Sequence, residues 1–261
     1  ETEPNRNDRP TVLIPAHNEG DRLPACIESL MKQTVQPDRI VVIADNCTDN
    51  TALLAASYGC EVYTPTDNTH AKAGGLNQWL CEHLDEMPDD EHIMVVDADG
   101  YLDADFIENA LTFLDAGYAA CGGVFRAEPN GTFVGFCQAN EYERYRYLLK
   151  HRKGRTLVLT GTATMFTAGL LKEVVEAREA GQIPSSGNIP ETVYSVNTLV
   201  EDLELTLAIK HIGHKVIAPV ECSLTTEAMN TWRSLSKQRY RWKLGALQTS
   251  WQYGFTGHTS V

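Results

Sequence analysis

The sequence predicts an α/β protein: a mostly parallel sheet flanked by helices. Two observations carry this. Over the first 117 residues, four short apolar runs alternate with segments whose apolar residues recur at helical spacing, the signature of strand–helix crossover units. The chain also has 261 residues, 43% hydrophobic and 22% charged, values ordinary for a globular protein that folds without disulfide or metal staples. At about 150 residues per domain, that length suits one large domain or two small ones.

Taken in order, residues 1–10 are polar and proline-containing and form an N-terminal arm. Thr11 to Pro15 reads as a buried strand, and Leu23, Cys26, Ile27, Leu30 and Met31 mark the helix after it. Arg39 to Ala44 is a second strand, followed by a helix starting near Thr48, and Glu61 to Thr64 is a third. Residues 71–84 suit a helix, with Gly74 and Gly75 in or before its first turn. Ile93 to Val96 is the fourth strand, and Phe106, Ile107, Ala110, Leu111 and Leu114 mark the next helix. The second half is less regular. Gly122 to Arg126 and Leu157 to Phe166 read as strands, and Glu141 to Lys150 as a helix rich in Tyr and Arg. Gly181 to Asn197 is a long loop, either a binding loop or a disordered insertion. Val200 to Ile212 is a helix, Lys215 to Ala218 a strand, and Thr231 to Trp242 an amphipathic helix.

The chain carries 22 basic against 35 acidic residues, a formal charge of -13, which disfavours a nucleic-acid partner. Half of the basic residues sit in two stretches, Arg144 to Arg155 and Arg233 to Lys243. They are either solvated helix faces or local anion sites, the first of which could meet a membrane surface or a phosphorylated acceptor. Seven cysteines without a CxxC pair argue against a disulfide framework or a thiolate zinc site and suit a reducing, cytoplasmic setting. Asn46-Cys47-Thr48 and Asn130-Gly131-Thr132 match the glycosylation sequon, which a cytosolic chain would not use. No run approaches the roughly 18 apolar residues of a membrane helix. The chain opens at Glu1 with neither an initiator Met nor a signal peptide, as a trimmed piece would. Membrane contact, at the inner face, is expected only if flanking segments have been removed.

Ligands of parallel α/β sheets bind at the carboxyl ends of the strands. Three polar clusters fall there, Pro15 to Glu19, Asp45 to Asp49 and Asp97 to Gly100, and are expected in one crevice. The strongest local signal is Val95-Val96-Asp97-Ala98-Asp99-Gly100. Two carboxylates one residue apart repel, and a divalent cation relieves the repulsion. An Asp-rich turn capping the following helix is the structural alternative. Asp97-Ala98-Asp99-Gly100-Tyr101-Leu102 is also similar to the nucleophile loop of haloacid-dehalogenase-like phosphatases. There the motif lies near the start of the domain, whereas three strand–helix units precede it here, and Tyr101 replaces Thr.

The order of motifs is more specific than any one of them. Ile14-Pro15-Ala16-His17-Asn18-Glu19 is followed by Asp45-Asn46-Cys47-Thr48-Asp49, Lys72-Ala73-Gly74-Gly75-Leu76-Asn77 and Asp97-Ala98-Asp99. Val200-Glu201-Asp202 and Gln238-Arg239-Tyr240-Arg241-Trp242 complete the set. This ordered set, with Leu199 to Val216, resembles the family-2 inverting glycosyltransferases, particularly the branch of cellulose, chitin and hyaluronan synthases, from Thr11 to Lys243.

The resemblance implies a Rossmann-like GT-A fold with a smaller acceptor-side subdomain. Residues 11–117 would form the nucleotide-sugar-binding half, and 118–261 the half holding acceptor and catalytic base. By similarity, Pro15, His17, Asn18 and Glu19 line the nucleoside pocket, Asp45 reads the uracil ring, and Lys72 and Gly75 let backbone approach the nucleotide. Asp97 lies near ribose and metal, and Asp99 binds the metal, Mg²⁺ or Mn²⁺. Asp202, beside Glu201 in the catalytic segment, is the general base. Gln238 and Arg241 meet the diphosphate, and Trp242 meets the acceptor. Each has a structural alternative: helix capping for Asp45, helix-dipole charge for Glu201 and Asp202, and helix docking for Trp242. Ala44, Val200 and Met229 depart from the pattern without removing a catalytic group.

The expected activity is metal-dependent, inverting transfer of a sugar from a UDP-sugar to a hydroxyl of a glycan, lipid-linked or protein acceptor, by single displacement. A phosphohydrolase using Asp97 and a non-catalytic nucleotide-sugar or glycan binding module are the alternatives. Processive synthesis is not supported, because no channel-forming segment accompanies the motifs.

Overall fold

A computed structural model describes residues 9–254 and Thr256; most of the expected N-terminal arm therefore lies outside the described residues. The first half follows the expected alternation: β1 (Thr11–Ala16), α1 (Leu23–Met31), β2 (Arg39–Ala44), α2 (Thr51–Ser57), β3 (Glu61–Tyr63), α3 (Ala71–His83) and β4 (His92–Val96). A two-residue strand, β5 (Tyr101–Leu102), precedes α4 (Phe106–Asp115). The second half holds β6 (Ala120–Gly122), β7 (Val124–Ala127), α5 (Phe133–His151), β8 (Ala163–Thr167), α6 (Ala168–Glu179), α7 (Glu201–His211), β9 (Val216–Ile217), β10 (Ser223–Thr226) and α8 (Trp232–Tyr253).

Seven strands form the main sheet in the order β3-β2-β1-β4-β8-β6-β9. Pairing is parallel except at β8, which runs antiparallel to β4 and β6. Both faces are covered. Leu13, Val41 and Ile43 pack into one core layer, and Val12, Ile14 and Val42 into the other, as the two-residue period of a strand requires.

The second half departs from the sequence expectations in several places, among them the unexpected β10 and an α8 that runs on from Trp242 to Tyr253. The strand expected over 122–126 is two strands. β6 belongs to the main sheet, and β7 joins a small sheet of order β5-β10-β7. The strand expected over 157–166 is ordered as β8 only from Ala163, leaving residues 157–162 irregular. α5 begins at Phe133, because the Thr132 hydroxyl accepts from the Gly135 N–H as an N-cap. α6 was not expected, although Thr167 caps it and Leu170, Leu171, Val174 and Ala177 bury one face.

The segment 181–197 is packed rather than an unstructured insertion. Arg178, fully buried on α6, donates to the carbonyls of Pro184 (2.6 Å) and Val193 (3.0 Å). It also pairs with buried Glu204 of α7 at 2.7 Å, and Tyr253 of α8 donates to the same carboxylate at 2.6 Å. Asn77 of α3 exchanges two hydrogen bonds with the backbone of Tyr194. Among the described residues, no helix is long and apolar enough to cross a membrane.

Candidate active site

The β1–β4 ladder ends at Leu13 and Val95, so the two strands part at their carboxyl ends. Pro15, which has no N–H to donate, falls beyond that last pair. Beside this opening, at the carboxyl ends of β1 and β2, lies a cleft of about 460 Å³ whose lining includes Pro15, His17, Glu19, Asp45, Lys72 and Gly75 but not Asp97 or Asp99. Six of the residues assigned to the nucleotide by resemblance therefore meet in one cavity. His17 Nδ1 donates to the Asp45 carbonyl at 2.8 Å, which orients the ring. Asp45 is buried, and its carboxylate accepts from Asn46 Nδ2 at 3.0 Å. Asp45 does not bond the start of α2; there Asp49, which precedes the N-cap residue Asn50, accepts through Oδ1 from the N–H and hydroxyl of Thr51. Those bonds hold its carboxyl below the usual range. A Cβ at Gly75 would lie 3.1 Å from Ile43 Cγ2, so this turn of α3 closes tightly on β2. Asn18 is not among the lining residues. It adopts φ 57° and its Oδ1 accepts from the N–H groups of Thr48 (2.7 Å) and Asp49 (3.3 Å), stitching two loops together.

Lys72 reaches from α3 to the end of β4. Its Nζ lies 2.5 Å from Asp97 Oδ1, 2.9 Å from the Gly161 carbonyl and 3.9 Å from Glu201 Oε1. Burial opposes the lysine charge, yet Asp97 and then Glu201 hold its pKa above the ordinary value. Among the described residues no cation is paired with Asp99, which accepts from the Thr226 hydroxyl at 3.5 Å. Burial, then Asp97, Glu19 and Glu227, push its carboxyl up to about 7. Glu19 is also raised, by burial and then by Glu227.

Asp202 stands in the first turn of α7, on the far side of Gly161. Its Oδ2 accepts from the Gly161 N–H at 2.9 Å, and its Oδ1 from the Leu203 N–H at 2.9 Å. One residue, Gly161, thus links Asp202, through its N–H, to Lys72, through its C=O, and so to Asp97. Glu201 faces the lysine side, with its carboxyl raised by burial against the opposing pull of Lys72. Asp202 also lines a second cavity, a groove of about 400 Å³ between α5, α7 and α8.

Trp242 lines that groove. Gln238 is tied to α5, accepting from Gln138 Nε2 at 3.0 Å. Arg241 is exposed and lines neither cavity. The groove arginine on α8 is Arg239, stacked 4.4 Å over the Trp242 ring and paired with Glu141 at 2.6 Å. At about 100° per residue Arg239 and Arg241 flank the Gln238–Trp242 stripe equally, so the packing of α8 and not the spacing decides which one faces the groove. The aromatic groove wall, Phe125, Tyr142 and Tyr145, was not anticipated either. Its one visible signal was the Tyr142–Tyr145 spacing on a helix read chiefly for its arginines.

Among the described residues, no three or more His, Cys, Asp and Glu side chains form a ready-made metal cage. The donor set nonetheless fits a divalent ion of the Mg²⁺ or Mn²⁺ type. Such ions use one or two carboxylates and take their remaining oxygens from phosphates and water. Asp99, half-buried among like charges with a long hydrogen bond, is the carboxylate whose environment calls for a cation. Asp97 stands beside it, already half neutralised by Lys72.

Residues 11–176 match the family described as "Glycosyl transferase family 2". An uncharacterized glycosyltransferase of Escherichia coli, YaiP, is 24% identical over 256 residues, covering 90% of this chain and 56% of that protein. The chain therefore spans about half the length of this curated relative. Among solved structures, the mannosyltransferase PcManGT from Pyrobaculum calidifontis, in complex with GDP-Man and Mn²⁺, superposes with a TM-score of 0.66 at 18% identity over 95% of this chain and 65% of that one. Glucosyl-3-phosphoglycerate synthase from Mycobacterium tuberculosis, in complex with Mn²⁺, UDP and phosphoglyceric acid, gives 0.58 at 16% identity over 95% and 79%. At such identities these structures establish a shared GT-A fold.

Proposed function

The chain belongs to glycosyl transferase family 2, and from that premise we propose that it transfers one sugar from a UDP-sugar to an acceptor hydroxyl, with inversion and with a divalent ion at Asp97 and Asp99. The observation that carries this reading is the Gly161 bridge: its N–H holds Asp202 and its C=O holds Lys72, so a residue of the groove and a residue of the cleft are tied to the backbone of one glycine.

Asp45, buried in the cleft and oriented beside His17, accepts from the N–H edge of the base. Gly75 admits the nucleotide close to backbone. Asp99 and Asp97 would hold Mg²⁺ or Mn²⁺, which when bound neutralises the charge growing on the departing diphosphate. Lys72 sets the position of Asp97 and adds a positive charge on that side. Asp202, its carboxylate fixed by two backbone N–H groups, takes the proton from the acceptor hydroxyl as that oxygen attacks the anomeric carbon. One C–O bond forms, the bond from the anomeric carbon to the phosphate oxygen breaks, and its electron pair leaves with UDP. Glu201 stays on the lysine side and preserves charge balance there.

A thermal-shift screen of nucleotide sugars with Mn²⁺ tests the donor assignment, since a bound ligand stabilises the native state by mass action. Uridine donors should raise the melting temperature and guanosine donors should not; the reverse would overturn the role given to Asp45. Release of inorganic phosphate rather than UDP would favour the phosphohydrolase alternative.

A further inference from the structure

The groove beside Asp202 differs from the donor cleft in what it can offer a ligand. Nine of its fourteen lining residues are apolar or aromatic, including Phe125, Tyr145, Leu148, Val158, Trp242 and Ala246. Its polar groups are largely committed within the protein. The Tyr142 hydroxyl accepts from Gln138 at 2.7 Å, and that of Tyr145 lies 3.1 Å from the Thr156 hydroxyl. The Thr160 hydroxyl donates to the Gly123 carbonyl at 2.9 Å. Arg239 is held by Glu141 at 2.6 Å and covers one face of Trp242, a face therefore closed to a stacked pyranose. Asp202 and, at the rim, exposed Arg144 are what remain.

A sugar chain brings several hydroxyls per residue, each of which loses water on entering and needs a replacement partner. This wall, nine of whose fourteen residues are apolar or aromatic, offers few of them. An apolar body needs none and gains by leaving water. We infer that the acceptor is amphiphilic: an apolar chain or ring lies in the groove along Tyr145, Leu148 and Trp242 and presents one hydroxyl to Asp202. This rests on the reading of Asp202 as the acceptor-side base and deepens it by naming the acceptor class.

Calorimetric titration with two probes tests this: n-octyl β-D-glucoside below its micellar concentration, and methyl β-D-glucoside, in the presence of UDP and Mn²⁺. The headgroup is the same and only the tail differs. The octyl compound should bind about tenfold or more tightly, with a negative heat-capacity change from apolar burial. Ala246→Trp, which fills the groove, and Leu148→Glu, at a position 42% exposed and so tolerant of charge, should each remove most of that difference. UDP titration shows that each variant is folded. Equal binding of the two probes, or a difference that survives both variants, overturns the inference. So does light scattering that shows a dimer whose formation shields Trp242, because a second copy would then occupy the groove. Hydrolysis of UDP-sugars separates the two readings: if they neither bind nor turn over, the donor assignment fails, whereas donor turnover without tail preference sinks the acceptor class alone.

Discussion

Lys72 Nζ and Asp97 Oδ1 lie 2.5 Å apart, joining the first turn of α3, where Lys72 lines the cleft of Pro15 and Asp45, to the end of β4. The lysine is charged against the cost of burial because Asp97 and Glu201 face it. Lys72→Met removes a charge-assisted hydrogen bond and leaves two carboxylates uncompensated. We expect donor affinity to fall by about 10- to 100-fold, measured by calorimetry with a UDP-sugar and Mn²⁺. Unchanged affinity would mean the pair is structural only.

The carboxyl of Asp99 titrates near 7 in the folded metal-free protein, against an ordinary value of 3.8. Its folded form is the better proton binder, so the group's stabilising contribution is complete below pH 3.8 and is lost as pH rises through about 7. The metal-free protein should therefore melt at a lower temperature at pH 8 than its other groups dictate, and Mn²⁺ should restore stability there but not near pH 4. Asp99→Asn should raise the metal-free melting temperature at pH 8 and abolish the response to Mn²⁺. Thermal melts at the two pH values, with EDTA or Mn²⁺, check both statements.

Arg178 and Glu204 form a buried pair, 0% and 1% exposed, that also anchors the segment after α6 and the end of α8. Breaking a buried pair strands the remaining charge, which costs about 3–5 kcal/mol. Arg178→Met should destabilise the fold by that order in urea melts, with the midpoint falling and the m-value unchanged. Replacing both partners with apolar residues should cost less than replacing one.

Gly245 lets α8 approach α7: a Cβ there would sit 2.7 and 2.9 Å from the two methyls of Val200, the residue before Glu201 and Asp202. Gly245→Ala should cost about 1–3 kcal/mol by overpacking and lower transfer more than UDP binding. Adding Val200→Ala should recover much of both. Equal losses in transfer and UDP affinity would point to global damage rather than a shift of the base.

Much of this site was legible in the chain. The strands of the first half are buried on both faces, so Thr11 to Pro15 and Arg39 to Ala44 stand out as unbroken apolar runs, with polar clusters at their ends. The first two clusters line one cleft because parallel strands bring their carboxyl ends to one edge, whereas Asp97 is joined to it through Lys72. Lys72 and Gly75 reach the same cleft. The second half was less legible for identifiable reasons. In α6, Lys172, Glu173 and Glu176 dilute a short apolar stripe. β5 has two residues and β10 four, too few for periodicity to register. The groove wall draws Phe125, Tyr142 and Trp242 from β7, α5 and α8, and nothing local in the chain joins them. The exchange of Arg241 for Arg239 has the same origin: motif spacing selects the stripe, and the packing of α8 decides which arginine faces the groove.

The sharpest test is Asp202→Asn, followed by paired measurements of sugar transfer and UDP affinity. The carboxamide keeps the shape and an acceptor for the Gly161 N–H but cannot take a proton. Transfer should drop by about 10²–10⁴-fold while UDP affinity stays within about threefold. Transfer at the wild-type rate would contradict the assignment of Asp202 as the base.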